Sequence, residues 1–256
     1  MEPEEGRAAR TGGAGTRYRS QGLIVDFSSA QFWVAAFQII VVNLLLSGDN
    51  AVVIALACRN LPPAQRRWGI FWGVIGAIGL RIVLTFFAVQ LLEVPYLKLA
   101  GGALLIWIGI KLIVDEEGDD PDVKASNRMI SAVKTVIVAD LVMSIDNVIA
   151  VAAAAKGSLV LLVFGLLISI PLVIVGAQLI MKLIERLPLL IVAGGGLLGY
   201  VAGEMIVQDP AIHDWVAAQG RWPHWVLPIA GIVLVIVVAK WLEHRQEPEE
   251  TQPPAG

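Results

Sequence analysis

The stretch NLLLSGDN, residues 43–50, places Asp49 beside Asn50 deep in a largely apolar run from Phe32 to Cys58. A second stretch, DLVMSIDN at 140–147, repeats the pattern with Asp146 beside Asn147 in another such run. Both runs exceed the roughly 20 residues that cross about 30 Å of hydrocarbon as a helix. An ionised Asp at the bilayer centre costs roughly 2.5–3.5 kcal/mol even on the lenient insertion scale. Hydrogen bonds between membrane helices are worth about 0.6 kcal/mol each. Such bonds account for Ser and Asn, but Asn would serve as well as Asp without the charge. The two carboxylates therefore read as functional.

Composition agrees with a membrane chain. The 256 residues are 57% hydrophobic and 16% charged, with a formal net charge of −3. A soluble domain carries about 25% charged residues. No basic cluster suggests nucleic acid. The single cysteine, Cys58, excludes an intrachain disulfide and reads as a small buried hydrophobe.

Hydropathy predicts an all-α polytopic membrane protein with seven transmembrane helices. The spans run from Phe32 to Cys58, Trp68 to Leu92, Tyr96 to Val114, Ile130 to Ala155, Leu159 to Leu183, Leu189 to Val207 and Trp225 to Leu242. The continuous runs lack the ten-residue alternation of a barrel. Residues 1–28 form a polar tail expected to be disordered and not a cleaved signal peptide. Residues 29–114 hold three helices, 115–129 an acidic linker and 130–207 three more. Residues 208–224 are an extracytoplasmic loop, 225–243 the seventh helix, and 244–256 a disordered C-terminal tail. With seven spans, eleven Lys and Arg lie on the side of the C-terminus and seven on the other. The excess predicts a cytoplasmic C-terminus and an N-terminus outside the cell (inner) membrane.

The two anomalies align beyond the Asp. Asn43 pairs with Asp140, Ser47 with Ser144, Asp49 with Asp146 and Asn50 with Asn147. GGALLIWIGIKLI (101–113) superposes on GGGLLGYVAGEMI (194–206), which pairs Lys111 with Glu204. The chain thus reads as two three-helix repeats plus a seventh helix. An odd number of spans per repeat inverts the second copy, the plan of many secondary transporters, whose sites lie at the repeat interface. Asp49, Asp146, Asn50, Asn147, Asp140, Asn43, Ser47 and Ser144 are the candidate ligands. Carboxylate, amide and hydroxyl oxygens suit hard or borderline divalent cations. Met143 is a soft candidate, more readily a core gap-filler. At 100° per residue, the polar groups from Asp140 to Asn147 spread over about 160°, too wide for one helix contact. Gly48 favours a local break in the first copy. Arg81 needs a carboxylate partner, and Asp140 is the first candidate. Export in exchange for protons would make Asp140 the best extra proton carrier, a role that competes with this pairing. Glu204 lines an exit path or faces headgroup water, and Lys111 snorkels. Gly69 and Gly73, and Gly195, Gly199 and Gly203, allow close helix packing. Pro171 is expected to kink the fifth span.

NLLLSGDNAVVIALACRNLP, VIVADLVMSIDNVIAVA and GGGLLGYVAGEMIVQDP resemble the TerC family, more closely its YjbE branch, over all seven spans, residues 30–245. That family is similar in plan to LysE-type exporters. The resemblance implies export of a divalent ion, Mn²⁺ first, with Asp49, Asp140 and Asp146 as the membrane acidic positions. It also implies possible hand-over to exported metalloenzymes or translocation machinery. The residues alone say divalent cation and oxygen ligands. No prosthetic group is expected, and the partners are the metal ion and the lipid bilayer, without nucleic acid. Two alternatives are an intramembrane aspartyl protease, using an Asp dyad, and a metal-binding scaffold that does not transport. The sequence does not set an oligomeric state.

Overall fold

The computed structural model describes residues 33–246 except 35, 39, 42–47, 88–90, 92, 115–124 and 155–158, and gives only the backbone for 125, 146, 148–154, 159, 161, 162 and 246. Among the described residues the chain is helical throughout, without a strand. The helices are α1 (Gly48–Cys58), α2 (Pro63–Phe86), α3 (Leu97–Val114), α4 (Ala125–Ala154), α5 (Leu159–Arg186), α6 (Leu189–Val207), α7 (His213–Gln219) and α8 (Pro223–Gln246). Residues 33, 34, 36–38, 40 and 41 are also helical.

Five of these helices, α2, α3, α5, α6 and α8, are long and apolar enough to cross a membrane. The 30 residues of α4 would span about 45 Å, but the helix carries Arg128, Lys134, Asp140 and Asp146. The first expected span overlaps α1, and its centre, 42–47, lies outside the described residues. The 1–28 tail lies outside them as well.

Boundaries move where caps decide them. The second helix begins at Pro63, five residues before the predicted Trp68, because Pro63 occupies the first turn, where its missing N–H costs nothing. It closes at Phe86, so Arg81 sits in its last turns rather than deep within it. Pro171 lies inside α5, whose helical assignment continues through it. The 208–224 loop holds the short helix α7.

All eight tryptophans are at least 47% exposed, and the outer faces of α5 and α8 present Val175, Leu179, Ile229 and Val237. Outward aromatic and aliphatic surface on this scale fits lipid rather than water. Inside, Ile70, Leu105, Ile108, Val136, Leu166 and Leu198 are fully buried.

The neighbours form a pattern. Helix α2 packs on α4, and α5 on α1; α3 meets α4, and α6 meets α1; α1 meets α2, and α4 meets α5. The pairs α1–α4, α2–α5 and α3–α6 also touch. Exchanging α1–α3 for α4–α6 maps all of these contacts onto one another. The contact of α5 with α6 is the exception, since among the described residues no comparable contact joins α2 to α3. Helix α8 lies along α6 and also touches α3.

That last contact needs glycine. A Cβ on Gly199 or Gly203 would run into the backbone of Gly231 or of Leu227 and Pro228, and one on Gly231 would run into the Gly199 carbonyl. A Cβ on Gly196 would instead meet only side-chain atoms of Ile232 and Ile236, at 3.4 Å or more. Gly199→Ala should therefore lower stability by about 1–3 kcal/mol through overpacking. Gly196→Ala should be near neutral. Thermal unfolding of the two variants in detergent checks the contrast, and equal midpoints would contradict it.

Helix α3 is held at both ends. At its N-terminus, Tyr96 has φ 66°, and buried Asp209 accepts hydrogen bonds from the N–H groups of Tyr96 and Leu99, both at 3.0 Å. Asp209 also accepts from its own Ala211 N–H at 2.8 Å. A carboxylate here satisfies otherwise orphaned donors and meets the positive end of the helix dipole. At the C-terminus, Arg59 donates to the Leu112 and Ile113 carbonyls at 2.7 and 3.4 Å, a basic cap on the last turn.

Burial pushes the Asp209 carboxyl up, but the N–H bonds from Leu99, Ala211, Tyr96 and Lys98 outweigh it and hold the group below the usual carboxylate range. A lowered folded-state value stabilises the protein at pH above the unfolded carboxylate value, and the gain disappears as pH falls through the folded value. Asp209→Asn should cost about 1–3 kcal/mol at neutral pH and flatten the loss of stability below about pH 4. Thermal midpoints against pH measure this, and parallel wild-type and variant curves would disprove it.

Candidate functional site

A polar cluster occupies the junction of α1, α2 and α4. Asp140 is its centre. It is buried on α4, and its Oδ1 accepts from Arg81 Nη2 at 2.7 Å and from Asn50 Nδ2 at 2.8 Å. The Ser144 hydroxyl, one turn along α4, donates to Asp140 Oδ2 at 3.1 Å and accepts from Arg81 Nε at 3.0 Å. The spacing of four residues stacks Asp140 and Ser144 on one face of α4. The side chains of the Arg81–Asp140 pair are only 3% and 6% exposed.

Asn50 is also buried, and its Oδ1 has no hydrogen-bond partner among the described residues. Beside it lies a cavity of about 20 Å³ lined by Asn50, Arg81 and Asp140, with Ile54, Val74, Ala77, Ile78 and Val173 as an apolar wall. That volume is enough for one water or a bare ion. Asp49 is half-buried in the first turn of α1. Its Oδ1 accepts from the Asn50 N–H at 2.8 Å, and it lies within electrostatic reach of Arg81 and Asp140.

The remaining candidates divide into three sets. Asn43 and Ser47, and the side chain of Asp146, lie outside the described residues. Asn147 is half-buried on α4. Glu204 is exposed and accepts from the Tyr200 hydroxyl at 3.1 Å, away from the cluster. Met143 is 2% exposed and packs in the apolar core, which is the gap-filling role. Lys111 is half-buried with its ammonium 5.9 Å from the Trp107 ring centre. Among the described residues no three His, Cys, Asp or Glu side chains converge to form a metal cage. The described oxygens come instead from one carboxylate, one amide and one hydroxyl, with Asp49 adjacent.

Two residues were not singled out by their types. Asp209 carried a signal in the Asp209–Pro210 dipeptide, a pairing typical of turns that follow a helix. Arg59 was counted only as a loop charge, because nothing local reveals that its target carbonyls lie on α3.

Residues 28–251 match the family model described as "Integral membrane protein TerC family". The chain is 43% identical over 208 residues to the uncharacterized membrane protein YjbE of Bacillus subtilis (strain 168), covering 81% of this chain and 94% of that protein. It is 26% identical to YceF of the same organism, over 86% of each chain. It is 24% identical to the inner membrane protein YgdQ of Escherichia coli (strain K12), over 71% of this chain and 83% of that one. No solved structure matches. With all of its described helices inside the matched region, the chain belongs to the TerC family of integral membrane proteins.

Proposed function

We propose that this protein carries a divalent metal cation across the membrane, through a site built where its two three-helix halves meet. The observation that carries the reading is the buried Asn50–Asp140–Ser144 cluster beside a cavity of ion size. A buried carboxylate in a membrane helix is expensive unless it has work to do. The exchange symmetry of the helix contacts supports the inverted-repeat plan, which places a substrate site at the repeat interface. Seven spans, a location in the cell (inner) membrane and a cytoplasmic C-terminus complete the proposal.

The ion is bound by Asp49, Asp146 and Asp140 with Asn50, Asn147 and Ser144, while Asn43 and Ser47 stand at the symmetry-related positions of the first repeat. All of these donors are oxygen, and the core position of Met143 removes the soft ligand. Mg²⁺, Ca²⁺ and Mn²⁺ remain by chemistry, and family resemblance favours Mn²⁺. Neutralising either Asp49 or Asp146 as Asn should reduce Mn²⁺ flux into proteoliposomes by at least about tenfold, one unit of 1.4 kcal/mol, without changing membrane abundance. Flux retained in both variants would put the site elsewhere. No flux despite Mn²⁺ binding by wild type would indicate a scaffold.

Export also needs a driving force. Moving a divalent cation out of a cell interior at −100 mV costs roughly 4.6 kcal/mol, twice the figure for a single charge. Two protons moving inward balance that charge. Asp140 is already matched by Arg81, so Asp49 and Asp146 are the assigned proton carriers. An imposed pH gradient across proteoliposomes should drive Mn²⁺ in the opposite direction to the protons. Movement that follows voltage and ignores pH on both sides would leave a uniporter.

A further inference from the structure

We infer that Arg81 is the resident counter-cation of the transport site, and that its guanidinium sets the charge an incoming ion must exceed to take its place on Asp140. The inference rests on the reading of the cluster as a divalent-cation site and adds how that site rejects monovalent ions.

Both oxygens of Asp140 are engaged by described side chains. Arg81 and Asn50 engage Oδ1, and Ser144 engages Oδ2. Arg81 also draws on the Ser144 hydroxyl through Nε. One guanidinium thus bonds both Asp140 and Ser144 on α4. A cation bonded to Asp140 would lie beside the guanidinium, and like-charge repulsion drives the two apart. The adjoining cavity of about 20 Å³ gives a bare ion or a shifted guanidinium somewhere to go. Asn50 lines the same cavity and holds an oxygen without a hydrogen-bond partner. Rotating that amide would turn an oxygen toward an arriving cation and withdraw the N–H₂ that now bonds Asp140.

Charge then decides which ions succeed. A monovalent ion brings no more charge than the guanidinium it must expel, and it lacks the guanidinium's paired, directional hydrogen bonds. A divalent ion doubles the attraction to Asp140 and to nearby Asp49 at similar distance. Na⁺ and K⁺ are therefore rejected by a competitor built into the protein, without a rigid size filter.

The experiment measures Mn²⁺ binding to purified protein by calorimetry, with and without added Na⁺. Wild type should bind Mn²⁺ with an affinity that Na⁺ leaves unchanged. Arg81→Gln should bind Mn²⁺ more tightly, by roughly tenfold or more for the loss of one nearby positive charge, and Na⁺ should now compete. Arg81→Lys, which keeps the charge, should retain indifference to Na⁺. A wild-type measurement guards against a variant that fails to fold. Phenylglyoxal labelling of Arg81, located by mass spectrometry, should rise when Mn²⁺ is added, because the ion releases the guanidinium. Unchanged or reduced labelling would overturn the inference, as would Arg81→Gln binding that is no tighter and still indifferent to Na⁺. If wild type binds no Mn²⁺ at all, the divalent-cation reading itself fails.

Discussion

A guanidinium and a carboxylate buried against each other, Arg81 on Asp140, organise the centre of this molecule. Taking such a pair out of water is costly, and removing one partner typically costs about 3–5 kcal/mol because the other charge is stranded. The pair therefore fixes the relative placement of α2 and α4, and through Asn50 it draws in α1. Apolar packing of the same helices is close but non-directional. The polar centre supplies the register that the greasy surroundings do not.

Much of this was legible in the chain. Hydropathy marked the five helices that are long and apolar enough to cross a membrane, and the limits of the sixth expected span, Leu189 to Val207, agree with the helix. The pairing of Arg81 with Asp140 was legible, because a charge within a span needs an opposite partner. Helix ends were less legible. Pro63 moved the start of α2 outward, and the capping of α3 by Asp209 could not be read from α3 itself. Long-range caps depend on which segment the fold brings near, and periodicity carries no record of that. The roles of the glycines were partly legible. Their spacing announced close packing, but only the structure shows that Gly199 and Gly203 face α8, whose own Gly231 answers them.

The surface and the interior solve different problems. Outward Trp and aliphatic groups meet a solvent that offers no hydrogen bonds, so backbone polar groups must be satisfied within helices. The ends, where that is no longer automatic, are where the charged residues work. Arg59 serves the last carbonyls of α3, Asp209 its first N–H groups, and Arg66 bridges to Glu185 at 2.5 Å.

The fastening of α3 at both ends divides the molecule mechanically. Asp209 ties its start to the segment after α6, while Arg59 ties its finish to the segment after α1. Helices α3, α6 and α8 are further locked by contacts between backbones, so they behave as a frame. Every polar side chain of the central cluster comes from outside that frame, from α1, α2 and α4. Any displacement of the cluster would therefore move α1, α2, α4 and α5 relative to α3, α6 and α8. The Arg59 and Asp209 fastenings, on opposite ends of one helix, are where such a displacement would be anchored.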